Sequence, residues 1–287
     1  MHPLTHHPFL KMNGIGNAIV VVDLRSTDYT LTPEDARAIA QAPDSHFDQL
    51  MVLYPPHTPQ AVAAMKIFNC DGSLSAACGN GTRCVAWALT ERSDHHTVTV
   101  ESDAGLLHCT KNDAWNFSVD MGTPKLGWAE IPLNTPVADT TFVPLPALPG
   151  LTTPLPVPAA VNMGNPHIIF FVEDVARIDV KTIGPLLEHH PEFPEKANIS
   201  FAQIITRDAM ILRVWERGAG YTLACGSGAC AAAVAAIRRG LTDRQVAVAL
   251  PGGSLTIAWR DHDNHVIMTG AVELEARLTF SAAHLKA

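Results

Sequence analysis

Residues 224–230 read ACGSGAC and run straight into AAAVAAIRR. A cysteine stands there just before two glycines and an alanine-rich run with the composition of a helix. About half a chain length earlier, residues 77–84 read ACGNGTRC and run into VAWAL. The same device, Ala-Cys-Gly-polar-Gly and then a helix, therefore occurs once in each half, and this repetition decides the fold. Short β-like runs precede and follow both copies: AIVVVDLR (18–25), QLMVLY (49–54), AVAAMKIF (61–68), TVTVES (97–102) and WNFSVDM (115–121) in the first half. HIIFFVED (167–174), SFAQIIT (200–206), AMILRVWE (209–216), QVAVAL (245–250) and SLTIAW (254–259) repeat that texture in the second. The expected fold class is α/β (α+β), as two structurally similar domains with pseudo-two-fold symmetry, each a mixed β-sheet around a central helix.

Helices are few. One starts at Thr32, with Pro33 at the first helical position and Glu34-Asp35 in the first turn. The other two follow the Cys-Gly turns, over about 80–91 and 228–239, and Gly240 just past Arg238-Arg239 suits the end of the second. PGG at 251–253 reads as a hairpin turn. The stretch IPLNTPVADTTFVPLPALPGLTTPLPVP (131–158) is proline-rich; it lacks backbone donors and blocks helix, so it reads as an extended crossover between the halves. The expected domains are 1–128 and 129–271.

Composition limits the function classes. A net charge of −8 leaves no excess of Lys and Arg for phosphates, against a nucleic-acid or anionic-membrane partner. No apolar run is long enough for a membrane span, and MHPLTHHPFLK lacks the pattern of a secretory signal, so the chain reads as cytoplasmic. Six cysteines are not a disulfide scaffold, and neither CxxC nor HExxH occurs, so no metal site is expected. Cys70, Cys84, Cys109 and Cys230 read as small buried hydrophobes. The His-rich first eight residues read as a disordered terminus.

Cys78 and Cys225 are different. The helix that follows each leaves its first N–H groups without partners and carries partial positive charge there. Such an end holds an anion such as a carboxylate, and it lowers the pKa of a cysteine thiol placed on it. Two thiols across one bound carboxylate suit inversion of the stereocentre beside that carboxylate. One thiolate takes the α-proton from one face, the opposite thiol delivers a proton to the other, and the two helix ends stabilise the carbanion. Neither a metal nor another cofactor is needed.

Six blocks carry a resemblance: KMNGIGNAIVVVD (11–23), FDQL (47–50), FNCDGSLSAACGNGTRC (68–84), MGNPH (163–167), EKANISF (195–201) and WERGAGYTLACGSGAC (215–230). In that order they closely resemble the diaminopimelate epimerases. The resemblance implies barrel-like domains around a central helix, with residues 272–287 returning to the first. It also implies cofactor-free interconversion of LL- and meso-diaminopimelate on the route to lysine and peptidoglycan, and a homodimer. By resemblance, Cys78 and Cys225 match the acid/base pair, and Gly79, Asn80, Gly226 and Ser227 the cradle of the reacting carboxylate. Asn17, Gln49, Asn69, Asn165 and Asn198 match polar substrate contacts. Glu216 and Arg217 match a substrate-binding pair, with Arg217 suited to grip the distal carboxylate bidentately. His167 and Glu216 match residues that tune the cysteines' ionisation.

The chain departs from the family pattern at Asn13, Ala18, His46, Cys70 and Tyr221. None of these removes a proton-transfer group; they bear on substrate orientation and subunit contacts. Two alternatives are a proline-racemase-like epimerase of the same fold and a non-catalytic binding protein for a dicarboxylic amino acid. The first has no use for Arg217 and the asparagine cluster, and the second has no use for two cysteines.

Overall fold

In the computed structural model, residues 2–75, 77–146, 150 and 154–285 are described. The chain divides into two compact units, residues 1–120 with 269–287, and residues 121–268. In the first unit the elements run β1 (Pro8–Asn13), β2 (Ala18–Asp23), α1 (Pro33–Gln41), β3 (Gln49–Tyr54), β4 (Ala63–Asn69), β5 (Leu74–Ser75), α2 (Gly79–Thr90), β6 (Thr97–Ser102), β7 (Gly105–Lys111) and β8 (Asn116–Asp120). The second holds β9 (Ala159–Asn162), β10 (Pro166–Phe171), α3 (Val180–Glu188), β11 (Asn198–Thr206), β12 (Ala209–Glu216), β13 (Gly220–Thr222), α4 (Gly226–Arg238), β14 (Gln245–Leu250) and β15 (Gly253–Trp259). The chain then passes through β16 (Val266–Ala271) into β17 (Glu273–Thr279), which pairs antiparallel with β1.

The duplication holds strand for strand. In the first unit β1 is antiparallel to β2, β2 parallel to β3, β3 antiparallel to β4, β4 parallel to β6 and β6 antiparallel to β7. In the second, β9 is antiparallel to β10, β10 parallel to β11, β11 antiparallel to β12, β12 parallel to β14 and β14 antiparallel to β15. The short strand before each Cys-Gly turn repeats too: β5 lies antiparallel to β4, and β13 to β12. Each sheet is mixed and carries its own helix. α2 packs on β2, β3, β6, β7 and β8, and α4 on β9–β12, β14 and β15. α4 is buried from Ala229 through Ala236, so its alanines are the seat of the surrounding strands.

Local chemistry explains the helix starts. Thr32 caps α1 in a capping box with Asp35, as the Thr-Pro-Glu-Asp run predicts. The expected hairpin at 251–253 joins β14 to β15. One core of the first unit gathers Phe9, Val20, Val22, Ile39, Phe47 and Phe280, with Phe9 and Phe280 stacked at 4.3 Å. One core of the second unit gathers Ile168, Phe170, Ile183, Leu187, Ile199 and Phe201.

Several expectations are corrected. The N-terminus is tied down from residue 2: Leu4 is buried, His2 Nε2 lies 2.9 Å from Asp35 Oδ1, and His7 Nε2 lies 2.9 Å from the Asp23 carbonyl. Cys84, Cys109 and Cys230 are buried, but Cys70 is exposed in the turn after β4. A further helix, α3, contains Gly184 and Pro185, which hide it in the sequence. A Cβ on Gly184 would stand 2.5 Å from Trp215 Cγ, so glycine is what lets α3 seat on β12. The proline-rich stretch carries no helix or strand among its described residues; residues 147–149 and 151–153 lie outside them. Arg239, just past α4, binds this strap through the Thr141 and Val157 carbonyls and lies over the Phe142 ring.

Candidate active site

The two cysteines hold equivalent places in the repeat. Each is the N-cap of its unit's central helix, in extended backbone that aims the side chain back over the first turn. In the first unit Cys78 Sγ accepts the Gly81 N–H at 3.3 Å, satisfying one of the helix's unpartnered donors. Cys78 Sγ also lies 3.5 Å from Gln49 Oε1 and 3.9 Å from Asn17 Oδ1. Gln49 opens β3, directly across from Asn69 at the end of β4. Asn17 is aimed by Asp48, whose Oδ2 accepts both the Asn17 side chain (3.0 Å) and the Ala18 N–H (2.8 Å). Asn69 turns instead to the Ser73 hydroxyl at 3.0 Å, across the turn that holds Cys70. Asn80 is buried in the first turn of α2, and its Oδ1 has no partner among the described residues.

The second unit repeats this scaffold with different side chains. Its β10 residue is His167 where the first unit has Ile19 in β2, its β11 residue Asn198 where the first has Gln49, and its β12 residue Glu216 where the first has Asn69. Cys225 is almost wholly buried (3 % exposed), and its Sγ donates to Glu216 Oε2 at 3.0 Å, with Ser227 Oγ 3.7 Å away. Glu216 Oε1 accepts the Thr222 hydroxyl at 2.5 Å. Burial first, and then the Glu216 charge beside it, push the Cys225 thiol well above its ordinary pKa. His167 is fully buried, and burial, with Arg217 nearby, pushes its pKa down to about 3, so it is a neutral imidazole. Its Nε2 lies 2.9 Å from Asn165 Oδ1, and its Nδ1 has no partner among the described residues. Asn198 is spent on structure: Nδ2 donates to the Pro166 carbonyl at 2.8 Å and Oδ1 accepts the Arg217 N–H at 3.0 Å. The Arg217 side chain is exposed and anchored on the Glu195 carbonyl at 2.9 Å.

Sequence reasoning missed three residues that hold this arrangement: Asp48, Thr222 and Glu188. Glu188 is buried at the end of α3, where it accepts Trp215 Nε1 at 2.7 Å and the Gly218 N–H at 3.1 Å. It thereby pins the turn that carries Glu216 and Arg217. Asp48 stands inside a quoted block; Thr222 and Glu188 look like ordinary polar residues until the strands pair. Among the described residues no group of three or more His, Cys, Asp or Glu side chains could hold a metal ion, and no helix is long and apolar enough to cross a membrane.

Solved structures share the fold across the chain at low identity. A PhzF-family phenazine biosynthesis protein from Enterococcus faecalis superposes with a TM-score of 0.69 at 17 % identity, covering 94 % of this chain and 97 % of its own. A hydroxyproline epimerase from Agrobacterium vitis gives 0.65 at 14 %, covering 99 % and 94 %. The sequence model of the family described as diaminopimelate epimerase matches residues 9–127 and 159–275. A diaminopimelate epimerase of Methylobacterium sp. (strain 4-46) is 56 % identical over 282 residues, 96 % of this chain and 95 % of that protein. One of Methylocella silvestris is 54 % identical over 280 residues, 97 % of each. The chain belongs to the diaminopimelate epimerase family, and it is an enzyme of the isomerase class.

Proposed function

We propose that this protein interconverts LL- and meso-2,6-diaminopimelate by proton transfer between two cysteines, on the route to lysine and peptidoglycan. The observation that carries the reading is the equivalent placement of Cys78 and Cys225, each at the N-cap position of the central helix of one repeat. One sulfur takes the α-proton as a thiolate, and the other delivers a proton from the opposite face. Negative charge then develops on the substrate's α-carboxylate. The backbone N–H groups at Gly79-Asn80 and Gly226-Ser227 are fixed donors for that charge, and they need no rearrangement as it grows. Cys225, held as a thiol by burial and by Glu216, is the donor at rest, which leaves Cys78 as the resting base. The two titrate as a pair, and they exchange roles when the reaction reverses.

Arg217 takes the distal carboxylate. Asn17, Gln49, Asn69 and Asn165 set the polar lining, Asn198 acts behind it by holding the Pro166 and Arg217 backbone, and His167 and Glu216 bias the ionisation of the cysteines. The reading uses no cofactor, and it takes in the cytoplasmic setting and the homodimer that the resemblance implies. The test is incubation of the reduced protein with LL-diaminopimelate in heavy water, followed by NMR of the α-position. Deuterium entry with appearance of the meso isomer is expected. Folded, reduced protein that gives neither overturns the reading. Proline and glutamate run in parallel separate it from a proline-racemase-like activity.

A further inference from the structure

The two repeats differ most where Glu216 stands. We propose that Thr222 is a positioning residue: its hydroxyl holds one oxygen of the Glu216 carboxylate, so that the other is presented to Cys225 and keeps that cysteine a thiol. The inference rests on the two-cysteine reading above and names the residue that aims the carboxylate carried by only one of the two halves.

The geometry comes from strand register. β12 and β13 pair antiparallel with Val214 opposite Thr222 and Glu216 opposite Gly220. Side chains at 214, 216 and 222 therefore project from one face, and Thr222 lies diagonally beside Glu216. Gly218 and Gly220, both at positive φ, allow the turn that sets this register. Glu188 pins the turn through Trp215 and the Gly218 N–H, so the hairpin cannot slip. Thr222 Oγ1 then donates to Oε1 at 2.5 Å while Cys225 Sγ donates to Oε2 at 3.0 Å. A glutamate's last torsion is soft, and one bond alone would leave the carboxylate free to turn. Two bonds, one to each oxygen, fix its plane.

The first repeat serves as an internal comparison. Asn69 stands nine residues before Cys78, as Glu216 does before Cys225, and Ser75 stands three before, as Thr222 does. There the hydroxyl at the equivalent place turns away: Ser75 Oγ donates to the Ala77 carbonyl at 3.1 Å, and Asn69 Nδ2 donates to Ser73 at 3.0 Å. The same backbone carries a carboxylate clamp in one half and neutral amides in the other.

The test compares full-length protein with Thr222→Val, Thr222→Ala and Thr222→Ser. The ratio of Cys225 to Cys78 alkylation by iodoacetamide at neutral pH is read by peptide mass, with kcat and KM measured in both directions. The thiolate is the nucleophile, so release of Glu216 raises the Cys225 share. The Val variant is expected to raise the ratio about tenfold, the effect of one unit of pKa, and to lower kcat with KM within about threefold. The Ser variant restores both. An unchanged ratio in the Val variant, or a Ser variant that behaves like Val, overturns the proposal. Should the Val variant not fold, the Ala variant makes the same deletion with less bulk and is read in the same way. The alkylation ratio needs no turnover. It therefore stands apart from the deuterium experiment, in which a wild-type protein without exchange would count against the epimerase reading itself.

Discussion

Cys225 Sγ lies 3.0 Å from Glu216 Oε2, while the residue equivalent to Glu216 in the first half is the neutral Asn69. A carboxylate beside a thiol opposes its ionisation, and burial of Cys225 adds to the effect. Glu216→Gln removes the charge and keeps the shape. Cys225 then ionises more readily, so its alkylation at neutral pH quickens while inversion slows by roughly 100-fold, the scale of a lost acid–base group. Parallel alkylation and turnover measurements check this; a variant with unchanged Cys225 reactivity contradicts the assignment of Glu216.

Cys78→Ala and Cys225→Ala are each expected to abolish net inversion, because on the proposed mechanism each removes one of the two proton carriers. Both variants should keep the wild-type fold by circular dichroism, since alanine preserves the extended cap conformation. Epimerisation by either variant at more than a small fraction of the wild-type rate rules out the two-thiol mechanism.

His167 makes stability depend on pH in a defined window. Folded, it stays neutral down to about pH 3, whereas an ordinary histidine protonates near 6.5. Between those values the unfolded chain binds the extra proton, so stability is lost as pH falls through that range, at up to about 1.4 kcal/mol per pH unit. The carboxylates held low, such as Asp23 and Asp35, act only below their ordinary value of 3.8. Urea denaturation at several pH values between 6.5 and 4.5 should therefore show a slope in the wild type that His167→Asn flattens. Equal slopes in the two proteins would mean that His167 titrates normally in the fold.

Gly228 crowds the second thiol. A Cβ placed there would stand 3.1 Å from Cys225 Sγ and 3.3 Å from Val214 Cγ2. Gly228→Ala should fold and yet displace the sulfur from Glu216, costing about tenfold or more in kcat, the penalty of slight misplacement at a reacting group. Steady-state kinetics, with thermal melting as a control, checks it.

Arg239 secures the proline-rich strap. Its guanidinium donates to the Thr141 and Val157 carbonyls and lies 4.3 Å from the Phe142 ring centre and 4.9 Å from that of Phe171. Arg239→Ala should cost about 2 kcal/mol of stability. Lysine should recover little of it, because the planar fork is what spans two carbonyls and two rings. Chemical denaturation of the three proteins decides this.

Much of the molecule was legible from residues alone. Thr32-Pro33 marked α1, the two Cys-Gly turns marked α2 and α4, and PGG marked the β14–β15 hairpin. β17 was not legible, because its residues alternate between exposed and half-buried with no buried face, and so leave no hydrophobic period to read. α3 was masked by Gly184-Pro185, of which Gly184 is kept for packing against Trp215 at the expense of helix propensity. In the site, the two cysteines stood out because they recur. Thr222, Asp48 and Glu188 did not, since each acts through register or through a neighbour that only the folded chain supplies. The N-terminus was misread for a related reason: its histidines look like a tail until Asp35 and the Asp23 carbonyl come within reach.

The duplicated scaffold with unequal linings has a thermodynamic consequence. No catalyst moves the balance between its two isomers, so the carboxylate on one side and the amides on the other leave the final ratio untouched. Their inequality can appear only as a trade. Whatever one direction gains in kcat over the other must be matched in the KM values, so that the quotient of the two kcat/KM terms equals the equilibrium constant. Exchanging Asn69 and Glu216 between the halves would rewrite every individual constant and leave that quotient where it was.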